Sequence, residues 1–102
     1  MIYILEFQTP LGNHRHQARY YIGFCEDGTS AQRLKAHKAG QGAAITRAAN
    51  ERNIPYSIVC TLDGDRNTER TLKRMKNTPR IIRQIRAKKF TVAKVRVCLW
   101  TD

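Results

Sequence analysis

Four short apolar stretches, residues 2–7, 18–25, 56–62 and 91–99, limit what this chain can fold into. Their aromatic and β-branched side chains read as strands, and turn-forming clusters follow the first three. Thr9-Pro10-Leu11-Gly12-Asn13 opens a loop carrying His14, Arg15, His16 and Arg19, and a hairpin is the economical link to the second stretch. The third stretch has Tyr56, Ile58, Cys60 and Leu62 at period two, and Asp63-Gly64-Asp65 closes it. The last alternates Ala93, Val95, Val97 and Leu99 with Lys94, Arg96 and Cys98, giving one buried and one solvated face.

Helical segments fill the gaps. Thr29-x-x-Gln32 fits a reciprocal capping box for a helix that ends near Gly40. Beyond the small-residue turn at 40–44, residues 44–50 form a further short helix. Asp65 is placed to cap a helix over residues 66–77, Pro79 interrupts it, and Ile81, Ile82 and Ile85 stripe the next. The order predicts a single α+β domain over residues 1–102: a small, mainly antiparallel sheet of three core strands and a C-terminal strand, with helices packed against it.

A hydrophobic content of 41% is enough for a folded core. No run reaches the roughly 18 apolar residues of a membrane span, and no secretory leader is recognisable, so a cytoplasmic or nucleoid-associated protein is expected. Cys25, Cys60 and Cys98 are too widely spaced for a zinc site and lie in apolar stretches, which makes them core residues.

Charge narrows the function. Nineteen Lys and Arg against eight Asp and Glu give a net charge of +11, and twelve of those bases fall within residues 66–96, where Glu69 is the only acid. Helices so loaded repel themselves unless a polyanion neutralises them, and nucleic acid is the obvious one. The candidate contacts are Arg33, Lys35, Lys38, Arg70, Lys73, Arg74 and Lys76. A solvated face that only aids solubility and a partner with an acidic surface are the alternatives, and either DNA or RNA fits the charge, with a protein partner as a possible source of specificity. Tyr20, Tyr21, Tyr56 and Trp100 serve equally well as stacking or core residues.

Two features exceed simple phosphate attraction. Glu69 either holds Mg²⁺ or Mn²⁺ through a hard oxygen or pairs with Lys73 one helical turn on. Arg33 and His37, four apart, share a helix face on which they meet a phosphate together or are merely solvated.

The ordered set resembles the GIY-YIG nuclease superfamily. Met1-Ile2-Tyr3 matches the first motif with Met where the family has Gly, and Tyr21-Ile22-Gly23 matches the second. Arg33-Leu34-x-x-His37, then Gly40-x-Gly42-Ala43 and Thr46, look like the family's helix and following loop. Glu69, Leu72-Lys73 and Asn77 resemble the motif of the metal-binding glutamate, and the likeness covers residues 1–79. It implies hydrolysis of a DNA phosphodiester with one Mg²⁺ or Mn²⁺ ion held by Glu69. Tyr3 would be the base toward water and would need cations to favour its phenolate; Tyr21 and His37 would position or assist that water. Arg33 would stabilise phosphate charge, with Gly23, Gly42 and Asn77 in support. The competing expectation is a module of the same fold that binds nucleic acid, or adapts another protein to it, without cutting.

Overall fold

A computed structural model describes residues 1–12, 17–75, 78–86 and 97–99. In chain order the elements are β1 (Ile2–Gly12), β2 (Gln17–Phe24), α1 (Ser30–Lys38), α2 (Ala44–Glu51), β3 (Tyr56–Leu62), α3 (Arg66–Met75), α4 (Thr78–Arg86) and β4 (Val97–Leu99). All strand pairs are antiparallel, and the sheet order is β2-β1-β3-β4. The described residues therefore have the expected α+β fold. β4 extends the sheet through Cys60↔Leu99, Thr61↔Cys98 and Leu62↔Val97; the remainder of the strand expected over 91–99 lies outside the described residues, as do His14, Arg15, His16 and Trp100. Among the described residues no helix is long and apolar enough to cross a membrane.

The central strand β1 explains the double-layered core. Its continuous run of apolar side chains is buried on both faces. Ile2 and Ile4 join Ile22, Cys60, Leu62, Leu72, Ile81, Ile82 and Ile85 on the side covered by α3 and α4. Tyr3, Leu5 and Phe7 join Cys25, Ala49, Tyr56 and Ile58 on the side covered by α1 and α2. Cys25 and Cys60 are buried, as expected; the side chain of Cys98 lies outside the description.

Three local expectations are corrected. β1 does not stop before Thr9: Leu11 is buried and pairs with Ala18, so core burial carries the strand through Pro10 after a register shift. The capping box at Thr29 does not form, because its backbone is not extended (φ −112°, ψ 12°) and its hydroxyl donates to Glu26 O at 2.7 Å. Finally, Tyr56, Ile58, Cys60 and Leu62 do not share a face. Ile4 pairs with Cys60 but Leu5 with Ile58, so Val59 is an extra residue that reverses the alternation.

The other helix signals hold. Asp65 Oδ1 accepts from the Thr68 N–H at 2.9 Å and starts α3. The helix is described as far as Met75, with Lys76 and Asn77 outside the described residues, and Pro79 sits in the first turn of α4, where its missing N–H costs nothing. α1 ends on Gly40 at φ +81°, with Gly40 N–H donating to His37 O at 3.1 Å and Gln41 N–H to Ala36 O at 2.9 Å. That closure fixes the last turn of α1, and His37 with it.

Candidate active site

Tyr3 comes from β1 and is wholly buried. It pairs across the ladder with Gly23, and a Cβ at position 23 would lie 2.7 Å from Tyr3 Cε1 and closer still to the hydroxyl end of the ring. Only glycine lets the phenol lie against β2. From there its hydroxyl meets His37 Nε2 at 2.6 Å.

His37 is held from every side. It is 1% exposed, and its carbonyl accepts from Asn50 Nδ2 at 2.8 Å. A Cβ at position 42 would lie 2.6 Å from both Cγ and Cε1 of its ring, so Gly42 makes room for the imidazole as Gly23 does for the phenol. The second ring nitrogen, Nδ1, lies 2.9 Å from Thr46 Oγ1 on α2. Tyr21 completes the group, its ring centroid 6.3 Å from that of Tyr3 and 5.5 Å from that of His37.

Burial sets the protonation states. It pushes the Tyr3 phenol up to about 12, helped by neighbouring Tyr21 and opposed by the hydrogen bond and charge of Arg33. Burial also lowers His37 from its ordinary 6.5, and the Arg33 charge adds to that. Both groups are neutral near pH 7. The cationic neighbour on which a Tyr3 phenolate was expected to depend is present, but desolvation outweighs it.

Arg33 and His37 do not present a shared phosphate-binding face. Arg33 is exposed, whereas His37 is buried with both ring nitrogens on protein partners. Tyr21 is half-buried and is the outer of the two motif tyrosines.

Glu69 lies in the first turn of α3, its side chain 14% exposed, with Lys73 Nζ at 3.6 Å from Oε1. The i,i+4 pair that the spacing allowed is thus formed. Lys73 Nζ also lies 5.4 Å from the centre of the Tyr21 ring, so the Glu69–Lys73 pair abuts the tyrosine cluster at the β2 edge. Among the described residues no three His, Cys, Asp or Glu side chains converge as a metal cage. One carboxylate suits Mg²⁺ nevertheless, because that ion keeps several waters and commonly takes further oxygens from a substrate phosphate.

Lys35, Lys38, Arg70 and Arg74 are exposed. Lys38 turns from the cluster, its Nζ 5.8 Å from the Tyr56 ring at the opposite end of the sheet. Arg66 was outside the expected contact set, yet it lines a cleft of about 230 Å³ with Arg33, Phe24 and Glu26. Its guanidinium stacks 4.7 Å from the centre of the Phe24 ring. Thr46 was likewise known only as part of a motif; its contact with His37 spans nine residues and has no periodic signal.

No protein-family profile, curated protein or solved structure matches the chain.

Proposed function

We propose that the protein is a metal-dependent endonuclease of GIY-YIG type that hydrolyses DNA phosphodiester bonds with low sequence specificity or selectivity for DNA shape. The observation that carries this reading is the buried 2.6 Å contact between Tyr3 and His37, for which glycines at 23 and 42 clear the space. Packing alone would be served by two apolar side chains, without the cost of burying a phenol and an imidazole.

In this mechanism Arg33 turns outward to donate two hydrogen bonds to phosphate oxygens, uncovering the Tyr3 hydroxyl. A phenol at about 12 is ionised in roughly one molecule in 10⁵ at pH 7, equivalent to about 7 kcal/mol. A preformed phenolate is therefore a poor base, and a relay is better. Tyr3 takes a proton from water as its own proton passes to His37 Nε2, with Tyr21 orienting that water. The water oxygen bonds to phosphorus, the bond from phosphorus to the leaving sugar oxygen breaks, and that oxygen takes a proton from solvent. His37 then releases its proton through Tyr3 to solvent, which replaces the one the leaving oxygen took. Glu69 would hold the divalent ion, which supplies neutralisation of charge on the phosphate and leaving oxygen. The basic surface of α3 and α4 would grip the DNA backbone, and the protein would act in the cytoplasm or nucleoid, with a protein partner able to add specificity.

A second reading, a binding or adaptor module for DNA or RNA, is favoured by the Glu69–Lys73 pair, which gives the carboxylate a purely structural partner. Incubation with plasmid and branched DNA in Mg²⁺, Mn²⁺ or chelator separates the two. Metal-dependent cleavage lost in Glu69→Gln and Tyr3→Phe, with binding retained, is the expected result. Binding without cleavage in either metal would establish the module.

A further inference from the structure

The interior of the cluster holds a polar residue with no part in the chemistry above. Thr46 is wholly buried in the first turn of α2, with its hydroxyl oxygen 2.8 Å from Ala43 O and 2.9 Å from His37 Nδ1. A carbonyl oxygen can only accept, so the hydroxyl's single proton is committed to Ala43. The contact with His37 must then be donated by the ring. Nδ1 carries the imidazole proton, and Nε2 is left with a lone pair facing Tyr3. Tyr3 completes the arrangement, because its hydroxyl proton is then the one shared with the Nε2 lone pair. One contact opposes this arrangement, since the Ala43 N–H also points at Nδ1, but at 3.4 Å it is the longest of the set.

We propose that Thr46 is a positioning residue that fixes the tautomer of His37, holding the proton on Nδ1 so that Nε2 can receive the Tyr3 proton. In the other tautomer Nε2–H would donate to Tyr3, and the relay would have no acceptor. A free imidazole prefers its proton on Nε2, so the useful tautomer has to be imposed. The assignment concerns ring chemistry and holds whether or not the protein cuts DNA; only its kinetic consequence rests on the nuclease reading.

The decisive measurement is a long-range ¹H–¹⁵N spectrum of histidine-labelled protein near pH 7.5, with His37 assigned by loss of its signals in His37→Gln. Groups facing the ring are Tyr3 from β1, Tyr21 from β2, Arg33 from its own helix and Thr46 from α2. The native protein should show a protonated Nδ1 and an unprotonated Nε2. Thr46→Ser should keep that pattern, and Thr46→Val should lose it. On cleavage, Thr46→Val should lower kcat by roughly 10- to 100-fold with DNA affinity unchanged, the scale on which an orienting partner of a functional histidine acts, while Thr46→Ser restores the rate. A protonated Nε2 in the native protein overturns the proposal even if cleavage is robust. A native Nδ1–H tautomer that survives in folded Thr46→Val also overturns it. The expected tautomers in a protein that cleaves nothing would support Thr46's role and defeat the nuclease reading instead.

Discussion

Replacing Gly23 by alanine should destabilise the protein, although glycine within a strand is ordinarily the weaker choice by roughly 0.5–1 kcal/mol. The new Cβ would stand 2.7 Å from Tyr3 Cε1, against a comfortable carbon–carbon separation of about 3.5–4.0 Å. The phenol ring must move by about 1 Å, and its hydrogen bond to His37 cannot follow. Overpacking costs about 1–3 kcal/mol, and leaving a buried nitrogen without its partner costs about 1–3 kcal/mol more. After the propensity gain is subtracted, the net loss is about 3 kcal/mol, a substantial share of the 5–15 kcal/mol typical of a domain. Denaturant unfolding followed by circular dichroism measures it, and a double-mutant cycle with Tyr3→Leu isolates the cause. In the Tyr3→Leu background the alanine should cost little, because the flexible side chain can yield. A Gly23→Ala protein as stable as the native one, or an equal loss in both backgrounds, would refute the reasoning.

Acid should expose the neutral burial of His37. An unfolded chain protonates this residue from about pH 6.5 downward while the folded protein, whose His37 is lowered, resists, so stability falls as pH drops through that window. Unfolding free energies at about pH 7.5 and 5.5 should differ less in His37→Gln than in the native protein. Alkali acts on Tyr3 in the complementary range: its phenol ionises near 10 when unfolded and about 12 when folded, so its contribution is lost as pH rises from 10 toward 12. Tyr3→Phe should show a shallower alkaline decline in denaturant melts. Arg66→Ala should weaken DNA binding and reduce the slope of log affinity against log salt by about one, read by fluorescence anisotropy across a salt series.

The strands and helices were legible because their signals are local. Asp65, Pro79 and the stripe Ile81, Ile82 and Ile85 each carry a boundary or a face within a few residues. Thr29 failed because a capping box also requires an extended backbone, which the turn from Glu26 denies it. Leu11 defeated the turn signal around Pro10 through burial that depends on the distant α2 layer. In the candidate site, the identities of Tyr3, Tyr21, Arg33, His37 and Glu69 could be read from motif order, but not their division of labour. Four residues separate Arg33 from His37 on one helix, and only the packing of α1 over Gly42 decides that one meets solvent and the other a buried phenol. The Thr46 contact had no sequence signature because the turn at Gly40–Gln41–Gly42 brings its hydroxyl back to the helix it follows.

Val59 carries a consequence beyond local geometry. By reversing the alternation midway along β3, it sends Tyr56 and Ile58 to the layer that holds the tyrosine–histidine pair, and Cys60 and Leu62 to the layer beneath the basic helices. It works as a phase marker, dividing one strand between two cores that can vary almost independently. Substitutions that reshape the layer beneath α3 and α4 would fall on one half of β3, and those that reshape the tyrosine–histidine layer on the other. Deleting this single residue would merge the two reading frames and turn half of the strand inside out.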